Sequence, residues 1–194
     1  YQVRSIKRKV ASIKAWSNFL LENQLIAENP FCHWHIRLRQ PAILPRTIPL
    51  RVIEAILRTA HKETQQATTI IEKRQAWRET AVLELLFATG MRVSEVCGLQ
   101  ADDVDLLDRY VRVYGKGSKE RMIQLENTEV LSTLENYKKL EPSKSGEPFF
   151  KNRLANPLSD QSVRLIIRKY ADKAECCMHI TPHMFRLSFA TLLL

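Results

Sequence analysis

Four basic side chains fall at unusual places in this chain. Arg92 follows Gly90-Met91 at the join between two helical patterns, and Lys116 sits between Gly115 and Gly117 in a turn. His183 and Arg186 lie three apart, directly after Thr181-Pro182. That spacing puts them on one helix face, at a helix N-terminus, where anions are attracted. Two guanidiniums, an ammonium and an imidazole suit a phosphodiester, because planar arginine forks hold its two non-bridging oxygens bidentately. A pentavalent transition state gathers charge on those oxygens, so fixed cations stabilise it more than the ground state. A lysine on a hairpin tip can hand a proton to the departing alkoxide. No carboxylate cluster for Mg²⁺ stands beside these residues, so the expected site uses no metal. Singly, each is an ordinary surface or turn residue; the combination carries the reading.

The elements that must position these groups follow from periodicity. Val3, Ile6, Val10, Ile13 and Leu20 recur at helical spacing, which predicts an amphipathic helix over about 2–25, stopped at Asn29-Pro30. Residues 36–49 carry three prolines and several arginines without glycine, and read as a stiff basic linker. Thr47 is expected to cap a helix near 49–61, with Pro49 close to its first position. A second long helix covers about 72–89 and ends at Gly90, which suits a left-handed cap, and a short one follows at Val93–Leu99. The periodicity then changes to two over 103–106, 110–114 and 121–125, predicting short antiparallel strands with Gly115-Lys116-Gly117-Ser118 as a turn. Helices are expected at about 127–140 and 160–174, and Thr181-Pro182 opens a last one. Leu83, Leu86, Phe87, Phe149 and Phe150 are the expected core. The fold class is α+β, mostly helical, with one small antiparallel β-sheet.

Composition bounds the function. The chain has 194 residues, 30 Lys and Arg against 21 Asp and Glu, and a formal charge of +9. Eight of the basic residues and only two acidic ones lie in 1–46, which suggests an arm that holds a polyanion beside a nearly balanced globular domain. Lys7, Lys9, Lys14, Arg37, Arg39 and Arg46 are its candidate DNA contacts. No apolar run is long enough to span a bilayer, so no membrane partner is expected. Four cysteines, two of them adjacent, read as reduced thiols in a cytoplasmic protein. Cys176, Cys177, His179 and His183 lie close together, but adjacent cysteines fit a tetrahedral zinc site poorly. The start at Tyr1 and the end inside Thr191-Leu192-Leu193-Leu194 read as a segment of a longer protein.

Three stretches carry a resemblance. Ala88-Thr89-Gly90-Met91-Arg92-Val93-Ser94-Glu95-Val96-Cys97-Gly98-Leu99 resembles the first arginine motif of the tyrosine recombinases (phage integrase family). Val113-Tyr114-Gly115-Lys116-Gly117-Ser118-Lys119-Glu120-Arg121 is similar to their catalytic-lysine hairpin, and Thr181-Pro182-His183-Met184-Phe185-Arg186 to their His-x-x-Arg box. The three occur in the family's order. The resemblance implies a helical DNA-clamping (core-binding) domain ending over 1–38, a linker at 39–48 and a catalytic domain at 49–194.

The resemblance also implies roles. Arg92 and Arg186 would grip the scissile phosphate, Lys116 would protonate the departing 5′ oxygen, and His183 would assist proton transfer at the nucleophile. Glu95 would help fix Arg92. Lys119 is a rival to Lys116 for the proton-donor role, although the family pattern favours the residue between the glycines; Lys119 and Arg121 are otherwise candidate phosphate contacts. The family's reaction is DNA strand exchange through a 3′-phosphotyrosine, with neither ATP nor metal, on double-stranded DNA and as a tetramer on two duplexes. The nucleophilic tyrosine of the family lies downstream of the His-x-x-Arg box, so it is expected to be absent from this chain. Residues 1–194 should then bind DNA without cleaving it, as a monomer when DNA is absent. Leu187 stands where the family often has histidine. A non-catalytic DNA-binding remnant of an integrase is the alternative, and a type IB topoisomerase-like enzyme a third.

Overall fold

The computed structural model describes residues 3–33, 46–115 and 120–192. The chain divides into two units, Tyr1–Leu44 and Pro45–Leu194. Among the described residues no helix is long and apolar enough to cross a membrane.

The first unit holds helix α1 (Val3–Glu22). Its helical stripe is present, yet Ile6, Ile13, Trp16 and Phe19 are all exposed and only Ser17 is buried. The Ser17 hydroxyl donates back to the Ile13 carbonyl at 3.1 Å, the local bond that makes a mid-helix serine tolerable. Asn29 ends the following turn by accepting the Phe31 amide at 2.8 Å on its side-chain oxygen. Most of the expected linker, with Arg37 and Arg39, lies outside the described residues.

The second unit runs α2 (Leu50–Gln66), α3 (Ile70–Thr89), α4 (Val93–Cys97), a 3₁₀ turn (Ala101–Asp103), β1 (Val104–Asp105), β2 (Tyr110–Tyr114), β3 (Glu120–Gln124), α5 (Thr128–Leu140), α6 (Asp160–Lys173) and α7 (Pro182–Leu192). Helix α3 is its axis. Every residue from Thr80 to Leu86 is buried, so this stretch lacks a solvent face and must be surrounded; α2, α5, α6 and α7 pack about it. Its start is fixed by a capping box. The Thr69 hydroxyl accepts from the Glu72 amide at 3.2 Å, and the Glu72 carboxylate accepts from the Thr69 amide at 3.1 Å. Buried carboxylates on α3 need partners. Glu84 meets His61 Nε2 at 2.7 Å, and Glu79 takes Lys169 Nζ at 2.7 Å and the Tyr170 hydroxyl at 3.0 Å.

The three strands form one antiparallel sheet in the order β1-β2-β3, with Val113 opposite Arg121 and Tyr114 opposite Glu120. Alternation puts Val111 and Val113 of β2 into the core and leaves Tyr114 exposed. Phe149, Phe150 and Tyr137 cluster with ring centroids 4.9–5.7 Å apart. Phe87 is only partly buried, against the edge of the core.

Some expectations need correction. Thr47 does not cap α2. Pro49 holds the N-cap position with no side-chain bond, and the amides of Val52 and Ile53 turn to its carbonyl at 2.9 and 3.2 Å. Helix α2 also continues to Gln66, five residues past the expected end. Its extra turn is polar, and Glu63 there is held by Lys169 and Tyr170 from α6. Helix α3 starts two residues early because of the Thr69 box, and α4 stops at Cys97 rather than Leu99. Strand β3 is shifted by one residue toward its start, because its pairing runs from Tyr114–Glu120 to Tyr110–Gln124.

Candidate active site

The site is built where α3 stops. Gly90 adopts φ +57°, ψ 24° and its amide closes on the Leu86 carbonyl at 3.1 Å. Only glycine takes this left-handed conformation freely. A second constraint is steric: a Cβ at this position would stand 2.5 Å from Cδ1 of Phe189. With the chain reversed so tightly, the Gly90 carbonyl faces α7 and accepts from Arg186 Nη1 at 2.8 Å.

Two residues on, Arg92 is the N-cap of α4. Its amide donates to Glu95 Oε2 at 2.8 Å and its Nη1 to Glu95 Oε1 at 2.7 Å. Arg121 on β3 adds a two-pronged contact, Nη1 to Oε1 at 3.1 Å and Nη2 to Oε2 at 2.8 Å. The Glu95 side chain is 5% exposed, whereas Arg92 remains 55% exposed. Burial pushes the Glu95 carboxyl pKa up, but the donors from Arg121 and Arg92 outweigh it and hold the group at about 2. The carboxylate therefore stays charged and leaves the outer edge of the Arg92 guanidinium open to an anion.

Helix α7 supplies the opposite wall. Pro182 occupies its first position, where a missing amide costs nothing. Met184, Phe185 and Ser188 face the core. The Ser188 hydroxyl donates to the Met184 carbonyl at 2.8 Å and accepts from the Ile48 amide at 2.7 Å. This leaves His183 exposed and Arg186 half-buried on the outer side. Leu187 is half-buried on the same helix.

Arg92, His183 and Arg186 line one cleft of about 560 Å³. Sequence reasoning missed its third wall, the α6 face with Gln161, Arg164 and Arg168. Their spacing of three and four places them on one stripe, which was the available signal. Each arginine has a loose exposed partner, Asp160 at 3.9 Å and Asp172 at 3.8 Å, and such pairs contribute little. Among the described residues, no carboxylate lines the cleft. The arrangement gathers guanidiniums and imidazoles around an open hollow, which can hold a polyanion and stabilise charge growing on its oxygens.

Lys116 and Lys119 are outside the described residues. Arg121 does not line the cleft and its guanidinium is engaged with Glu95. Lys7 and Lys9 are exposed and Lys14 is half-buried on α1, while Arg46 is exposed before α2. The tyrosines do not line the cleft among the described residues: Tyr137 and Tyr170 are buried with hydroxyls bonded to the Phe149 carbonyl and to Glu63 and Glu79, and Tyr110 and Tyr114 belong to β2.

Comparison with known proteins bears on this geometry. A family model described as the phage integrase family matches residues 51–194. The chain is 47% identical over 196 residues to a tyrosine recombinase of Agathobacter rectalis, covering all of this chain and 64% of that protein. It is 36% identical to the tyrosine recombinase XerC of Bacillus pumilus, covering 98% of this chain and 62% of that one. The chain thus spans less than two thirds of the length of these relatives. Its fold is similar to that of a lambda integrase dimer bound to a COC′ core site, with a TM-score of 0.71 at 16% identity over 98% of this chain and 67% of that one.

Proposed function

Because the chain belongs to the phage integrase family, we propose that it carries the phosphate-handling centre of a site-specific DNA recombinase, which breaks and rejoins duplex DNA through a 3′-phosphotyrosine. The observation that carries this reading is the meeting of Arg92, His183 and Arg186 around one cleft that no carboxylate lines among the described residues. In this reading the two guanidiniums bracket the non-bridging oxygens of one backbone phosphate. A tyrosine oxygen attacks the phosphorus as the bond to the 5′ oxygen breaks. His183 serves the proton of the attacking hydroxyl, and Lys116 gives one to the leaving 5′ oxygen. The phosphotyrosine conserves the bond energy, and a 5′ hydroxyl of a partner strand reverses the step, so the reaction needs no external energy source. Arg164 and Arg168 extend the cationic wall along the duplex, and the basic residues of 1–46 add contacts outside the cleft.

The burial and bonding of Tyr137 and Tyr170, and the strand positions of Tyr110 and Tyr114, support a nucleophile other than these residues. Residues 1–194 should therefore bind duplex DNA, as a monomer beforehand, without forming a covalent adduct. The decisive test is Arg92→Ala in the full-length protein. Strand cleavage should be lost while duplex affinity stays within a few-fold, since many phosphate contacts share the binding. Wild-type cleavage rates in that variant would remove Arg92 from the centre. A full-length protein that binds DNA and never forms an adduct would instead make it a binding remnant.

A further inference from the structure

Glu95 is shared between two arginines in an unequal way. Each of its oxygens takes one donor from Arg92 and one from Arg121: Oε1 at 2.7 and 3.1 Å, Oε2 at 2.8 and 2.8 Å. Arg121 commits its fork to the carboxylate, while Arg92 gives one guanidinium nitrogen and its backbone amide. Only Arg92 lines the cleft. Arg121 also has a particular place in the sheet. It pairs with Val113 across β2 and β3, one step from Tyr114–Glu120, the last pair of the ladder.

We propose that Arg121 is a positioning residue: through Glu95 it sets the guanidinium plane of Arg92 and ties that plane to strand β3. This rests on the recombinase reading above. The physical argument is competition for one buried anion. With Arg121 present, both carboxylate oxygens are already engaged, and the second positive charge weakens the hold of Glu95 on Arg92. Arg92 then keeps an edge free for phosphate. Without Arg121, the carboxylate is free to chelate the Arg92 fork, the strongest geometry open to the pair, and draws it away from the cleft. Arg121 thus acts on the phosphate without touching it.

The test uses the full-length protein and a suicide duplex whose site has been selected by that protein from random-sequence DNA. Arg121→Ala should leave the duplex affinity and its salt slope unchanged and slow single-turnover cleavage on the order of 100-fold. Arg121→Lys, which keeps charge but not the fork, should fall between. A second substrate carries a neutral methylphosphonate at the scissile position, where one oxygen no longer needs a guanidinium. On it, Arg121→Ala and Arg92→Ala should both approach the wild-type rate. A loss of salt slope of about 0.9 would mark a direct phosphate contact and overturn the proposal. A cleavage defect that persists on methylphosphonate DNA would also overturn it, as damage to the fold. If Arg121→Ala does not fold, Arg121→Lys on the two substrates decides by the same ratio. Failure of the recombinase reading looks different: cleavage would be absent in the wild type, or indifferent to Arg92.

Discussion

Replacing Gly90 with alanine tests how the turn after α3 holds the two walls of the cleft together. Two costs add at this position. A Cβ at φ +57° is disfavoured by about 1 kcal/mol. The same atom would stand 2.5 Å from the Phe189 ring, and forcing a ring or helix aside in a packed region costs about 1–3 kcal/mol. The expected loss of stability is therefore about 2–4 kcal/mol, read as a lower denaturation midpoint in urea at constant slope. Function should suffer more than stability. Phe189 lies one turn beyond Arg186, whose Nη1 bonds the Gly90 carbonyl at 2.8 Å, so relief of the clash moves the guanidinium itself. A displacement near 1 Å slows the chemical step on the order of 100-fold. The cycle with Phe189→Ala separates the two costs, because only the steric part should vanish in the double variant. Gly90→Ala within about 0.5 kcal/mol of wild type, or additive with Phe189→Ala, would refute both the close approach and the anchoring role.

Two further outcomes concern charge. His61 is raised above its ordinary value of 6.5, chiefly by its bond to Glu84 and against the opposing effect of burial. A raised histidine stabilises the fold fully below 6.5 and loses that contribution as pH rises through the folded value. Urea midpoints across this range should fall with pH, and His61→Gln should flatten the slope; an unchanged slope would break the link to Glu84. Separately, the affinity of residues 1–194 for duplex DNA should drop steeply with salt, by about 0.9 log units per log unit of salt for each phosphate engaged. A flat response, measured by fluorescence anisotropy, would discard the basic arm and cleft as a DNA surface.

Local signals were legible in the sequence where one residue settles a geometry. Gly90 ended α3, Thr181-Pro182 opened α7, and two-residue alternation located β2. Long-range partners were not legible. The last turn of α2 is Glu63-Thr64-Gln65-Gln66, which carries no apolar period; it is held by α6 residues about a hundred positions away. Arg164 and Arg168 look like any solvated helix face until α6 stands beside the start of α7. Arg121 looked free to meet phosphate because sequence spacing cannot reveal a carboxylate 26 residues earlier. Arg92, His183 and Arg186 were nameable from their types and order; that they line one hollow depends on packing about α3.

The anchoring of α7 bears on when the cleft comes into being. The helix is tied by Ser188 to the Ile48 amide and by Arg186 to the Gly90 carbonyl, across 140 and 96 positions of chain. Contacts so distant form late, because the intervening polymer must first be ordered. A chain that has so far released α2 through α6 lacks the helix that carries Met184 and Phe185 into the core. His183 and Arg186 therefore join Arg92 at the cleft only once α7 has docked against the rest of the unit.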